Sequence, residues 1–255
     1  MSQLHYALEL YSVRDITEDS MRLALKKSAE MGYDSVEFAG FFDYNAGQIK
    51  TWLDTFGLAA TTTHTGLGAL TPEHIEETIA YHKAIGCDCL VVPGADWSTE
   101  EKMNENLALL SAAQKTLAAS GITLGYHNHS HEFLPTAYGK LIEEEILSRT
   151  DVLLEVDTFW TYNAGIDTIA FLEAHKDRIC CLHLKDGIPC APEYRKIDAC
   201  YTGVQGKALG EGTAPVRDVI AWANAAGKPM VVESEGLDPT GLEEVGRSIA
   251  FLKTL

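Results

Sequence analysis

Residues 152–157, with the sequence VLLEVD, form a short apolar run that ends in acidic residues. Its length and its aliphatic, β-branched composition predict a buried strand, with the carboxylates marking the strand's carboxyl end. Runs of the same kind recur along the chain. We predict eight strands: Tyr6–Leu10, Ser35–Phe38, Ala59–His64, Cys89–Pro93, Thr123–His127, Val152–Asp157, Cys180–Leu184 and Met230–Glu233.

Amphipathic segments lie between these strands, and their apolar residues recur at helical spacing. Ser20–Met31 is one such segment. Pro72–Ile85 is a second, with Thr71 as its predicted cap and Pro72 in its first turn. Ser98–Ala119 is a third, and it opens with the capping-box pattern STEE. Several helices are predicted to end at a glycine, which adopts the left-handed cap most readily: Gly32, Gly57, Gly86, Gly121 and Gly227.

The alternation of strand and helix is typical of an α/β protein with a parallel sheet. Eight units in 255 residues give about 32 residues for each unit, which is the spacing of a (β/α)8 TIM barrel. We therefore predict one domain over residues 1–255. A doubly wound open sheet is the alternative, but no Gly-rich phosphate-binding turn follows the first strand.

One long connection interrupts the repeat. Residues 185–212 follow the seventh strand and are rich in proline and glycine, which predicts a loop rather than a helix. Because active sites of such barrels lie at the carboxyl ends of the strands, this loop is placed to act as a lid. A solvent-exposed insertion is the competing interpretation.

The charge of the chain argues against one class of partner. Its 37 acidic residues outnumber its 20 basic residues, and the formal net charge is −17. Because nucleic-acid binding needs clustered Lys and Arg, we expect no nucleic-acid partner. The N-terminal sequence does not resemble a signal peptide, and no apolar run is long enough to span a membrane. We predict a cytoplasmic protein with no membrane partner, whose six cysteines are reduced packing residues.

Acidic and imidazole side chains collect at the predicted carboxyl ends of strands five to eight. The set comprises His127, His129, His131 and Glu132 around strand five, Asp157 on strand six, His183 and Lys185 around strand seven, and Glu233 on strand eight. A closed barrel directs these ends towards one axis, so the side chains can converge on one ion. Mixed Asp, Glu and His donors suit Mn²⁺, Co²⁺ or Mg²⁺ better than a structural zinc.

Four motifs carry a resemblance to a known family. They are LYSVRD at Leu10–Asp15, YHNH followed by EF within Tyr126–Phe133, HLKD at His183–Asp186, and LGEG at Leu209–Gly212. With them, the chain resembles the xylose isomerase-like TIM barrel superfamily, and within it the sugar phosphate isomerase/epimerase family. The resemblance spans essentially the whole chain and implies a metal-dependent enzyme of carbohydrate metabolism.

The resemblance also implies a ligand set for one divalent metal ion. In the family, strands five to eight supply the ligands, and the matching positions here are Asp157, His183 and Glu233. Strand five departs from the pattern, because His127 stands where ketose epimerases have a glutamate. We expect His127 to be the fourth ligand, with Glu132 as the competing choice. Mn²⁺ is the expected ion, and Co²⁺, Mg²⁺ and Zn²⁺ are the alternatives.

The implied reaction is isomerisation or epimerisation of a small sugar or keto-sugar through an enediolate. The metal would polarise the substrate, and Glu233 would transfer the proton. With a histidine on strand five, the second proton-transfer group stays open, and the candidates are Glu132, His129, His131 and Glu155, with Lys185 as a further catalytic candidate. The alternatives are a metal-dependent lyase or dehydratase on a keto-inositol or 3-keto-glycoside, and a non-catalytic sugar-binding barrel.

Five residues are expected to contact the substrate: Arg14, Glu37, His64, His129 and Trp160. The competing interpretation of each is structural, namely a hydrogen-bonded side chain, a surface ion pair or an aromatic ring packed at the rim. The glycines after strands seven and eight do not form a clear phosphate-binding pattern, so we favour a non-phosphorylated carbohydrate. A homodimer formed through the helices is a further expectation.

Overall fold

The computed structural model describes residues 6–255, so the first five residues of the N-terminal sequence considered above lie outside the described range. Eight parallel strands close into a barrel: β1 (Ala7–Glu9), β2 (Ser35–Ala39), β3 (Ala59–His64), β4 (Cys89–Val92), β5 (Thr123–His127), β6 (Leu153–Asp157), β7 (Ile179–Leu184) and β10 (Met230–Val232). Each strand pairs with its neighbours in sequence, and β10 closes the barrel between β7 and β1. The predicted single-domain (β/α)8 fold is confirmed.

Ten helices surround the strands in the described part of the chain: α1 (Arg14–Thr17), α2 (Met21–Met31), α3 (Ala46–Phe56), α4 (Ile75–Ile85), α5 (Glu100–Ala119), α6 (Ile142–Arg149), α7 (Thr158–Asn163), α8 (Thr168–Ala174), α9 (Val216–Ala226) and α10 (Gly241–Leu252). All five predicted terminal glycines have a positive φ, between 64° and 101°. Four of them are the caps themselves, whereas Gly121 follows Ser120, the cap of α5.

Two predicted helix starts are wrong by a few residues. Helix α4 begins at Ile75, because the preceding residues form a turn in which the amides of His74 and Ile75 both donate to the carbonyl of Thr71. Thr71 therefore caps nothing with its side chain. Helix α5 begins at Glu100, and the hydroxyl of Thr99, not Ser98, accepts from the amide of Lys102.

The core lies between the barrel and its helices. Successive strand side chains point to opposite faces of a sheet, and β6 shows the result. Leu154 and Val156 pack in the apolar core, whereas Glu155 and Asp157 point towards the barrel axis and are also fully buried. Across residues 6–255, no helix is both long enough and apolar enough to cross a membrane.

The connection after β7 is partly folded, which corrects the prediction of a plain loop. Two short strands, β8 (Asp186–Ile188) and β9 (Gln205–Lys207), pair there as an antiparallel ribbon. The Asp186 carboxylate fixes its base by accepting four backbone N–H groups, from Gly187, Gly210, Gly212 and Ala214, at 2.8–3.0 Å. A Cβ on Gly212 would lie 2.2 Å from Asp186 Oδ1, so this close approach requires glycine.

Candidate metal centre and active site

Four side chains converge at the carboxyl end of the barrel, one from each of three successive strands and one just after β10. They are His127, Asp157, His183 and Glu233, the four predicted metal ligands. One donor atom of each lies within 4.8 Å of the others, and all four side chains are buried. His127 and Asp157 end their strands, His183 is the penultimate residue of β7, and Glu233 follows β10, so all four lie at the rim where the parallel strands of the barrel end.

The donor atoms of this cluster suit a divalent cation. Oδ1 of Asp157 accepts the Trp160 amide at 2.7 Å, but Oδ2 is buried and has no hydrogen-bond partner among the described residues. His183 Nδ1 lies 3.0 Å from Glu233 Oε2. Both of these atoms are acceptors unless a proton or a metal ion lies between them. Two imidazoles and two carboxylates, with one oxygen that lacks a hydrogen bond, therefore fit a divalent metal ion.

The structure places Glu132 outside this cluster. Its carboxylate accepts the Tyr126 hydroxyl at 3.0 Å and the His129 amide at 2.8 Å, and it lies 3.1 Å from His131 Nε2. These contacts leave Glu132 fully buried and fix the turn that follows β5. The geometry therefore favours His127 over Glu132 as the ligand from strand five.

A second layer of carboxylates supports the ligand histidines from below. His183 Nε2 lies 2.6 Å from Glu37 Oε2 and 3.1 Å from Glu155 Oε2. His127 Nδ1 lies 3.2 Å from the same Glu155 oxygen. A carboxylate that accepts one ring N–H fixes the tautomer and leaves the other nitrogen for a metal. Glu37 and Glu155 are therefore placed to orient the two histidines, and Glu37, a predicted substrate contact, is not among the described residues that line the cavity.

His64 lies in the same layer but reaches the cavity. Its Nε2 is 2.7 Å from Glu155 Oε2 and 3.3 Å from Glu37 Oε1, and its ring stacks on His183 at 5.2 Å. Burial lowers the pKa of His64, but the nearby carboxylates of Glu37, Glu9 and Glu155 outweigh it and raise the pKa to about 10. His64 is therefore a cation at neutral pH.

Glu9, on β1, is a member of this layer that the sequence analysis missed. It is fully buried, its Oε1 lies 3.9 Å from His64 Nδ1, and burial together with Glu37 raises its pKa well above the usual range. The sequence feature that could have identified Glu9 is its place as an acidic residue within the apolar run of a predicted strand. The same signal applies to Glu37 and Glu155.

Lys185 is buried against the cluster as a positive charge. Its Nζ lies 3.2 Å from Glu233 Oε2 and 3.7 Å from Asp157 Oδ2, and it also pairs with Glu235. Burial lowers the pKa of Lys185, but the three carboxylates outweigh that effect and raise it. The lysine is therefore protonated at neutral pH. It also lies 4.5 Å from the centre of the Trp160 ring.

The two ligand carboxylates respond differently to their surroundings. Burial raises the pKa of Asp157 to about 7 despite the nearby Lys185. Burial also acts to raise the pKa of Glu233, but Lys185 and His183 outweigh it and hold that pKa well below the usual range. Glu233 is consequently ionised at neutral pH and can accept a proton.

A cavity of about 720 Å³ opens above the cluster. Its wall includes His64, His127, His129, Trp160 and Glu233 from the predicted site. The ribbon after β7 also contributes to it, through Tyr201, Val204 and Gly206, which no sequence signal indicated. A cavity of this size can enclose a small carbohydrate.

Of two predicted substrate contacts, His129 and Arg14, only His129 lines the cavity. His129 lines the cavity, and burial lowers its pKa to about 4, so its imidazole is neutral. Arg14 is not part of the cavity wall. Its guanidinium donates to the carbonyls of Tyr11 and Glu235 at 3.0 and 3.1 Å and lies over the Tyr11 ring. Arg14 therefore joins the turn after β1 to the segment after β10.

Fold and site together define a (β/α)8 barrel with a histidine–carboxylate cluster at its carboxyl end. The chain belongs to the xylose isomerase-like TIM barrel family, whose sequence profile matches residues 25–255. This confirms the family resemblance found in the motifs. No curated protein matches the chain.

Solved structures agree on the fold. The chain is similar to two structures of a sugar phosphate isomerase/epimerase from Parabacteroides distasonis. One is 23% identical with a TM-score of 0.81 and covers 99% of both chains. The other is 24% identical with a TM-score of 0.78 and covers 99% of this chain and 94% of that one. It is also similar to a probable 3-DHS dehydratase from Bacillus anthracis, at 13% identity and a TM-score of 0.74, over 98% and 99% of the chains.

Proposed function

We propose that this protein is a divalent-metal-dependent isomerase or epimerase of a small, non-phosphorylated sugar or keto-sugar. One observation carries the proposal. Among the described residues, Glu233 is the one carboxylate that both belongs to the four-residue cluster and lines the cavity. A base next to a Lewis-acid site is what proton transfer beside a carbonyl needs.

The residues of the site would have separate roles in metal binding and proton transfer. When bound, the metal ion, for which Mn²⁺ is our first choice, would supply Lewis-acid polarisation of the substrate oxygens. His127, Asp157, His183 and Glu233 would hold it. Ionised Glu233 would remove the proton from carbon and return it. His64 lines the cavity and its Nε2 faces Glu155 and Glu37, so its Nδ1, 3.9 Å from Glu9 Oε1, would be the nitrogen left to donate a proton to a substrate oxygen.

The charge of the cavity wall supports an uncharged substrate. Within residues 6–255, no Lys or Arg lines the cavity, whereas Glu233 and Glu235 do. Lys185 and Arg14 lie nearby, but both are already committed to protein acceptors. A phosphate dianion would face two carboxylates and one histidine cation, His64, that is already paired with Glu155 and Glu37, so we propose a neutral carbohydrate although similar structures include sugar phosphate isomerase/epimerases.

A metal-dependent lyase or dehydratase is the second candidate. It is favoured by the pairing of one carboxylate base, Glu233, with one cationic acid, His64, which is the minimum that elimination requires. The likeness to a probable dehydratase points the same way. Symmetric two-glutamate epimerisation is less well supported, because Glu132 is held away from the cavity.

Proton exchange in D₂O, followed by NMR, tests both candidates. The protein is incubated with ketoses, inososes and 3-keto-glycosides, with Mn²⁺ or with EDTA. We expect deuterium to enter at the carbon beside the carbonyl with Mn²⁺ only, and the product to be an isomer, an epimer or an eliminated fragment.

Two variants give this experiment its controls. Glu233→Gln should slow exchange at least about 100-fold, because general acid–base catalysis contributes that much. Glu235→Gln, at the same wall, should keep the activity within a few-fold. Exchange that persists in Glu233→Gln contradicts the role of Glu233. No exchange by the metal-loaded wild type with any member of the panel would instead favour a non-catalytic sugar-binding barrel.

A further inference from the structure

A second cavity lies on the outside of the barrel, away from the candidate active site. Its volume is about 570 Å³, and it lies between α6 and α8. Its walls are mostly apolar and aromatic: Phe133, Leu141, Leu147, Ile166, Phe171 and His175. Phe171 contacts the edge of Phe133 at 5.3 Å and the His175 ring at 4.6 Å. This cavity shares no lining residue with the 720 Å³ cavity.

An acidic side chain without a partner lines this apolar cavity. Glu143 is only 2% exposed, and neither of its carboxylate oxygens has a hydrogen-bond partner in the described part of the chain. Leaving a buried carboxylate without a donor costs several kcal/mol, so such a group calls for a ligand or a proton. Burial and the charge of Glu132 raise the pKa of Glu143 to about 8.

The nearby cation makes no hydrogen bond to Glu143, although Arg178 Nε is itself buried without an acceptor in the described part of the chain. Arg178 lines the same cavity, but its terminal nitrogens donate to the carbonyls of Leu147, Thr150 and Val152 at 2.8–3.0 Å. These three bonds tie the guanidinium to the end of α6 and the start of β6. Glu143 therefore faces the cavity with its acceptor capacity unused.

We propose that this cavity binds a small aryl- or alkylammonium ion, with the ammonium group donating to Glu143 and the apolar part packing against Phe133 and Phe171. An ammonium ion is favoured over an acid because Glu143 is the lining carboxylate that lacks a donor, whereas the terminal nitrogens of the lining cation, Arg178, already donate to backbone carbonyls. It is favoured over an alcohol because hydrogen bonds between charged groups are the stronger ones. Aromatic walls also attract organic cations.

The position of the cavity connects it to the candidate active site. Phe133 and Glu132 are consecutive, and they face opposite ways from one short turn. Phe133 lines the outer cavity, whereas Glu132 holds the His129 amide at the inner one. An occupant of the outer cavity would contact the segment that positions His129. The binding proposal itself does not depend on the proposed function.

Titration calorimetry with phenethylammonium tests the proposal, with 2-phenylethanol as a neutral probe of the same shape. At about pH 8 the amine stays charged and Glu143 can ionise. We expect saturable binding of the amine to the wild type, about tenfold or more tighter than the alcohol, since a hydrogen bond to a charged group is worth that much. Glu143→Gln should abolish this preference.

Matched variants distinguish the buried acid from surface charge. Glu144 is exposed at the rim of the same cavity, so Glu144→Gln should keep the amine preference. Leu147→Trp should fill the cavity and block both probes, which keeps the test valid if Glu143→Gln fails to fold. Absence of saturable binding to the wild type, equal affinity for the two probes, or an equal loss in Glu144→Gln would overturn the proposal.

Discussion

Glu37 Oε2 lies 2.6 Å from Nε2 of His183, so a residue on the second strand holds a ligand side chain on the seventh. This contact crosses the barrel axis and fixes which nitrogen of His183 faces Glu233. We expect Glu37→Gln to weaken Mn²⁺ binding about 10- to 100-fold, as for other carboxylates that support a ligand histidine. Isothermal titration calorimetry with Mn²⁺ measures this affinity.

Glu9→Gln is the matched control for that variant. Glu9 is equally buried in the same layer, but it makes no hydrogen bond to a predicted ligand in the structure. We expect its metal affinity to stay within a few-fold of wild type. If Glu37→Gln and wild type bind Mn²⁺ equally well, the orienting role of Glu37 is wrong.

The choice between His127 and Glu132 as the strand-five ligand predicts a contrast between two variants. His127→Ala removes a donor from the cluster, so we expect purified protein with clearly reduced metal content by elemental analysis. Glu132→Gln should keep its metal content, because its carboxylate contacts Tyr126 and the His129 amide instead. The reverse result would move the ligand from His127 to Glu132.

Metal binding is expected to stabilise the protein more at high pH than at low pH. The pKa of Asp157 is raised to about 7, whereas an unfolded aspartate titrates near 3.9. The stability that its buried proton contributes is therefore fully present below about pH 4 and is lost as the pH rises through about 7. A bound ion replaces that proton.

Differential scanning calorimetry with and without Mn²⁺ tests whether metal stabilises the protein more at high pH than at low pH. We expect the rise in Tm on adding Mn²⁺ to grow between about pH 5.5 and 8, because fewer protons compete with the ion. Asp157→Asn should show a smaller rise and a weaker dependence on pH, with the remainder due to His183, for which burial lowers the pKa but Glu155 and Glu37 outweigh it and raise the pKa well above the usual range. A metal-induced rise in the wild type that is constant over this range would contradict the titration of Asp157.

The base of the ribbon after β7 is expected to be sensitive to a single methyl group. Gly212→Ala would place a Cβ against the Asp186 carboxylate and loosen the four amide contacts that fix the ribbon. We expect faster proteolytic cleavage within residues 189–204. Gly68→Ala, which has open space around it and an ordinary φ, should be cleaved at the wild-type rate. Equal rates for both variants would show that Asp186 does not anchor the ribbon.

Most of the fold could be predicted from the sequence, because short apolar strands and Gly-capped helices have recognisable local sequence patterns. VLLEVD and the glycine at position 32 or 57 are examples. The convergence of polar side chains near the strand ends was also predictable, and the family resemblance implied which four of them form the cluster. Local sequence patterns do not predict which residue each side chain contacts. Whether Glu37 faces substrate or His183, and whether Arg14 is free or held by Glu235, depends on barrel closure and register.

The cavity wall was the least predictable part. Tyr201 and Val204 reach it only because the ribbon folds back from Asp186 over the rim. The stretch around them has no periodic pattern, and its fold depends on four amides meeting one carboxylate. A cluster of glycines near residue 210 was visible, but the acceptor that they approach was not.

The Asp157 carboxylate has one oxygen on the Trp160 amide and the other facing the ligand cluster. Metal binding and the position of α7 are therefore coupled through the Asp157 side chain. Lys185, which lies over the Trp160 ring, shares the same carboxylate environment and would shift as the local charge changes. Because the chain has four tryptophans, the emission of Trp160, taken as the difference between the wild type and Trp160→Phe, should follow metal occupancy without any added dye or known substrate.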